Sequence, residues 1–187
     1  DIWTIHCQVL PEEPQNPNAG AGIPVGIEDT SGYMNITYQQ NADLEVFKQL
    51  IRDFRIWMKA KGFQHKELFI TEYGVLMPST ILVQDRPDLG DQLVIQFMLG
   101  SFDYLLGAVD PEYGCPTDGY RLVQRWLWYS LNEQPFDLST GRGFNGSLYH
   151  HDRPNELTVF GQAFRSYALD LYGRKLYLPL GLKRFAP

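Results

Sequence analysis

The chain has 187 residues, 44% of them apolar and 20% charged, with a mean hydropathy of −0.28. That composition excludes a disordered chain, and no apolar run approaches the roughly 18 residues that span a bilayer. The formal net charge is −6, from 16 basic and 22 acidic residues with no basic cluster, which argues against a protein that grips nucleic-acid phosphates.

Aromatic residues are abundant, with 4 Trp, 11 Tyr and 11 Phe. Such a load serves a core, and it also serves stacking on sugar rings. The two cysteines, Cys7 and Cys115, form no CxxC motif, and the chain has only 4 His. No zinc pattern and no disulfide scaffold follow from these.

Residues 1–10 (DIWTIHCQVL) read as a strand stopped by the Pro/Glu cluster at 11–14. The strand pattern is under way at Asp1, with no basic leader before it. The expectation is therefore that further strands belong before Asp1. Residues 11–40 read as a long loop with Gly20, Gly22, Gly26 and Gly32. Residues 41–61 carry the clearest helix. Leu44, Phe47, Leu50, Ile51, Phe54, Trp57 and Met58 recur at three and four, with Asn41 as N-cap and Gly62 just past the end. Arg52, Arg55, Lys59 and Lys61 lie late in it, where the helix dipole favours cations. Trp57 belongs to the packing stripe.

A second strand, 67–73 (ELFITEY), ends at Gly74. After a loop at 75–86, Pro87 opens a helix that runs to about Leu106 and is apolar on most sides. Residues 107–120 form a Pro/Gly loop, and 122–131 (LVQRWLWYSL) a third strand. A polar loop at 132–156 precedes Thr158, which caps a last helix ending before Gly173. The apolar tail 174–187 is expected to pack on the rest. Strands alternating with helices predict an α/β fold with a parallel sheet. Three βα units fall short of the eight, over about 250 residues, that close a barrel.

In parallel α/β folds, sites form at the carboxyl ends of strands. His6, Glu72 and the aromatic pair Trp128 and Tyr129 stand there. An acid ending an apolar strand is costly to bury unless it is paired or used. Glu72 is thus either a catalytic group or a structural carboxylate that caps a loop or pairs with Arg. Alternation predicts Leu68, Ile70 and Glu72 on one face. It also makes one of Trp128 and Tyr129 core and the other site. His6 either orients Glu72 or contacts a sugar hydroxyl, or else is a buried strand histidine bonded to a carbonyl. Tyr73 either bonds within the site or faces a helix. Arg125, mid-strand, calls for a structural partner. Glu133, in Asn132-Glu133, reads as an exposed loop acid. His150-His151-Asp152 reads as non-metal, because adjacent loop residues point different ways.

The run 67–76 (ELFITEYGVL) resembles the seventh strand of clan A type (β/α)8-barrel retaining glycoside hydrolases. The WxWYS pattern at 126–130 resembles their eighth strand. Residues 145–149 (NGSLY) and 157–164 (LTVFGQAF) resemble the close of such barrels, and Asp1–His6 resembles the sixth strand. The resemblance covers most of residues 1–172. More narrowly, it is to the C-terminal part of a group of little-characterised bacterial glycosyl hydrolases.

The resemblance implies strands six to eight of a TIM (β/α)8 barrel, a partial catalytic domain over 1–187 whose N-terminal half is absent from this chain. It implies Glu72 as nucleophile, with His6, Tyr73, Trp128 and Tyr129 binding substrate. It implies no metal or cofactor, an oligo- or polysaccharide substrate, and an extracellular or cell-surface location. The missing half of the barrel, on the same or another chain, becomes a partner. The acid/base Glu of that clan ends the fourth strand and has no counterpart here, so this chain alone is expected to be inactive. The rival reading is a non-catalytic carbohydrate-binding or scaffold subunit on a degenerate barrel. A self-standing α/β hydrolase of another type is disfavoured by the lack of a Gly-x-Ser-x-Gly turn or phosphate loop.

Cys7 lies near the carboxyl end of one strand, and Cys115 lies in a loop entering the opposite end of the sheet. A strand of ordinary length separates those ends by roughly 17–20 Å, and a disulfide needs Cα atoms within about 7 Å. Two free thiols are expected.

Overall fold

A computed structural model describes residues 1–11 and 34–176. Most of the first long loop, with Gly20, Gly22, Gly26 and Gly32, lies outside the described residues, as does the tail from 177 on. The described elements are β1 (Trp3–His6), α1 (Leu44–Ala60), β2 (Leu68–Tyr73), α2 (Ser79–Leu82), α3 (Gly90–Gly107), β3 (Arg125–Trp128) and α4 (Val159–Leu176), with short 3-10 turns between them. The strands form one parallel sheet in the order β1-β2-β3. The chain therefore has an α/β fold, each strand passing to the next through helix. Helix α4 runs past Gly173 to Leu176, longer than the sequence pattern predicts.

The expected stripe makes α1. Phe47, Ile51 and Met58 are fully buried, and Trp57 packs edge-on against Trp3 at 5.0 Å. Gly62 takes φ +80°, and Phe63 N–H closes back to the Met58 carbonyl at 2.7 Å, the ending that a left-handed glycine permits. The start differs from expectation. Asp43, not Asn41, caps the helix, its Oδ1 accepting from the Glu45 and Val46 amides at 2.9 and 3.1 Å. Asn41 is needed elsewhere. Its Nδ2 donates to the Val9 carbonyl, and its Oδ1 accepts from the Leu76 and Met77 amides. It thus ties the exits of β1 and β2 together in the core.

Arg55 also departs from the surface role that its late helical position suggests. It lies on the buried stripe between Ile51 and Met58, fully buried. Its guanidinium donates to the Leu122 and Lys66 carbonyls and to Gln124 Oε1, which also accepts from the Leu68 amide at 2.8 Å. This network stitches the amino ends of β2 and β3. Strand β3 begins at Arg125 and not at 122. Arg55 and the Gln124 carboxamide add to the backbone bonds there, in which the Gln124 amide donates to the Leu68 carbonyl and the Leu122 amide to the Ala108 carbonyl, both at 3.0 Å. Arg125, expected to need a structural partner, is exposed, and its guanidinium donates to the Gln124 carbonyl at 2.9 Å.

All the large helices cover one face of the sheet. An aromatic chain runs through that layer. Phe47 stacks on Tyr73 at 4.8 Å, Tyr73 meets Phe97 and Trp128, and Trp128 meets Phe102, which meets Phe164 and Tyr167. Among the described residues nothing covers the other face. Thr4, His6, Arg125 and Leu127 are exposed there, Leu127 at 64%. Parallel sheets are ordinarily covered on both faces.

Cys7 and Cys115 are both buried and unbridged, as the strand geometry requires. Burial pushes the Cys7 thiol up to about 12, which leaves about one part in ten thousand as thiolate at pH 8. Ellman's reagent is expected to react slowly with the native protein and to count two thiols once it is unfolded. Two fast thiols in the folded state would contradict this burial.

Candidate active site at the carboxyl end of the sheet

Glu72 owes its position to an irregularity in β2. Ile5 pairs with Ile70 and His6 with Glu72, so one step in β1 matches two in β2. On the other side Trp126 pairs with Ile70 and Trp128 with Tyr73, so two steps in β3 match three. Strand β2 therefore holds one extra residue, at Thr71–Glu72, against both neighbours. A bulge of this kind re-aims side chains. After it Tyr73, not Glu72, joins Leu68 and Ile70 in the helix-covered core. The expectation that Leu68, Ile70 and Glu72 share a face is corrected accordingly. Glu72 turns to the bare face.

There its Oε2 stands 3.5 Å from His6 Nδ1, the side chains being 43% and 62% exposed respectively. Among the described residues His6 is the only ion-pairing neighbour of Glu72. His6 is therefore not a buried histidine held by a carbonyl. Among the described residues no arginine pairs with Glu72, and its carboxylate is accessible.

The aromatic residues divide. Tyr73 is fully buried, and its hydroxyl donates to Ser101 Oγ at 3.1 Å, because the Ser101 proton is spent on the Met98 carbonyl. Burial pushes this phenol well above its ordinary value. Trp128 donates its indole N–H to the Gly146 carbonyl at 2.8 Å, with its ring in the helix layer. The structure places both rings in the helix layer, Tyr73 fully buried and Trp128 partly so, and does not bring them against Glu72. Tyr129 follows Trp128 and turns the other way. Its amide donates to the Tyr73 carbonyl at 2.7 Å, beside Glu72, and its ring meets Phe144 edge-on at 4.7 Å. Gly74 permits this approach, since a Cβ there would stand 2.0 Å from the Tyr129 carbonyl oxygen. The Tyr129–Ser130 peptide bond is cis.

Glu133 is not the free loop acid that its sequence context suggests. Its Oε2 accepts from the Tyr129 hydroxyl at 3.1 Å and its Oε1 from the Gln134 amide at 3.1 Å. Desolvation, the bond to Glu133 and the charges of Glu133 and Glu72 raise the Tyr129 phenol above its ordinary value. Glu133, Phe144 and Asn145 also help to line a cavity of about 600 Å³ beside the start of α4. The adjacent histidines gather no metal site. His151 Nδ1 lies 3.0 Å from the Asn132 carbonyl, Asp152 pairs with Arg153, and no cluster of three metal-ligating side chains occurs among the described residues. No described helix is long and apolar enough to cross a membrane.

Comparison with known proteins gives no matching family model, no matching curated protein and no matching solved structure. The arrangement at the sheet end has to be read from its own chemistry. It presents an accessible carboxylate, an imidazole in contact with it, and a half-exposed phenol ring on the same side.

Proposed function

We propose that this chain supplies the nucleophile half of a retaining glycoside hydrolase, strands six to eight of a (β/α)8 barrel. The observation that carries the proposal is the bulge in β2, which takes Glu72 out of the core and sets its carboxylate against His6 on the bare face. Glu72 attacks the anomeric carbon and forms a glycosyl-enzyme ester. A second carboxylate from an earlier strand protonates the leaving oxygen and then activates water. His6 lies within reach to orient Glu72, and Tyr129 offers a ring and a hydroxyl to the sugar. The substrate is an oligo- or polysaccharide, met outside the cell or at its surface.

A parallel sheet whose described helices lie on one side, and with Ile2, Leu127 and Leu131 half or more exposed, supports a barrel whose other strands close over the opposite face. The 187 residues alone are expected to self-associate in light scattering and to hydrolyse no glycoside. A longer protein that brings the earlier strands should be monodisperse and active on a panel of nitrophenyl glycosides. A cooperative, stable monomer of the 187 residues would contradict the half-barrel.

A further inference from the structure

We infer that Glu133 is a positioning residue that fixes Tyr129 as a hydrogen-bond acceptor, so that the site selects a ligand hydroxyl that donates. This rests on the glycosidase reading for its ligand, a sugar, but its geometry stands on its own.

A ring of hydrogen bonds sets the backbone of Glu133. Its N–H donates to Ser130 Oγ at 3.0 Å, and Ser147 Oγ donates to its carbonyl at 3.0 Å. The Ser147 proton is thereby used, so in the 2.8 Å contact between the two hydroxyls Ser130 donates to Ser147. Every proton in the ring has one acceptor, and both serines are buried.

An ionised carboxylate only accepts. The Tyr129 proton therefore points at Glu133 Oε2, and the phenol oxygen keeps only lone pairs for anything else. The Phe144 ring packs edge-on against the Tyr129 ring at 4.7 Å, and Gly74 lets the Tyr129 backbone sit close. The Tyr129 amide bonds the carbonyl of Tyr73, the residue after Glu72, and the Glu72 charge is felt at the Tyr129 phenol, so the two side chains stand near each other at the carboxyl end of the sheet. A sugar hydroxyl placed there finds an acceptor whose direction was fixed before it arrived, and a deoxy analogue leaves that acceptor empty.

The test compares wild type, Glu133→Gln and Tyr129→Phe in the full-length protein, with Ser147→Ala as a variant that loosens the ring and leaves the carboxylate. For the nitrophenyl glycoside hydrolysed best, kcat/KM is measured for each monodeoxy analogue. One position should cost wild type about 10–100-fold. Glu133→Gln and Tyr129→Phe should lose most of that discrimination, since a carboxamide can donate to the phenol as well as accept. Ser147→Ala should lose part of it. A second reading needs no turnover. The ultraviolet pH titration of wild type minus Tyr129→Phe locates the Tyr129 phenol, and Glu133→Gln should move it down toward the ordinary tyrosine range. Wild-type discrimination in Glu133→Gln, or an unmoved Tyr129 titration, would overturn the inference while leaving the glycosidase reading intact. If no glycoside is hydrolysed but the titration moves, the clamp stands and the glycosidase reading falls.

Discussion

Glu72→Gln in the full-length protein is expected to keep its fold and lose about 10⁴-fold or more in kcat. Among the described residues His6 is its one ion-pairing neighbour, and the side chain is nearly half exposed, so an isosteric amide disturbs little packing. The thermal midpoint should move by no more than about 2 °C. If Glu72 is the nucleophile as proposed, the amide cannot form the glycosyl ester and covalent catalysis is lost. Glu72→Ala opens space where the carboxylate stood. Added azide should enter it and restore turnover, giving a glycosyl azide of inverted anomeric configuration. Full activity in Glu72→Gln would end the reading of this residue as nucleophile.

The largest effect on stability should come from Arg55→Met. Methionine fills much of the volume and removes the cost of burying a charge. It leaves the Leu122 and Lys66 carbonyls without their donor, and Gln124 Oε1 keeps only the Leu68 amide. Each buried polar group so stranded costs about 1–3 kcal/mol. A net loss of about 3 kcal/mol is expected, or roughly 6–12 °C in the thermal midpoint at this chain length. Arg55→Lys should fall between the two, because an ammonium cannot fork to three acceptors on different segments. Chemical denaturation would read both. A Met variant as stable as wild type would show that the network stitches nothing.

Much of this arrangement was legible in the sequence. The three-and-four spacing from Leu44 to Met58 gave α1, and the alternation of strand and helix gave the parallel sheet. An acid ending an apolar strand pointed to Glu72. The face on which Glu72 lies was not legible. Pleating counts by two, and the extra residue at Thr71–Glu72 is visible only against the registers of β1 and β3, which no local pattern encodes. For the same reason Tyr73 reads as a neighbour of the site when it belongs to the core. Asn41 and Asp43 are both good caps by type. Which one caps is decided by the demands of Val9, Leu76 and Met77, distant in sequence. Arg55 resembles a surface cation near a helix end, because the carbonyls that take it in come from residues 66 and 122. Glu133 had one readable hint, its place four residues after Tyr129. The Ser130–Ser147 ring that makes it rigid spans 17 residues of otherwise polar loop.

The most direct measurement is covalent trapping. The full-length protein is incubated with a panel of 2-deoxy-2-fluoro glycosyl fluorides, which slow the hydrolysis of a glycosyl-enzyme more than its formation, then digested and sequenced by mass spectrometry. One fluorosugar should add to the peptide that carries Glu72, at the Glu72 carboxylate, and a Glu72→Gln control should stay unlabelled. Labelling of a different carboxylate, or hydrolysis of natural glycosides with no Glu72 adduct from any member of the panel, would contradict the account.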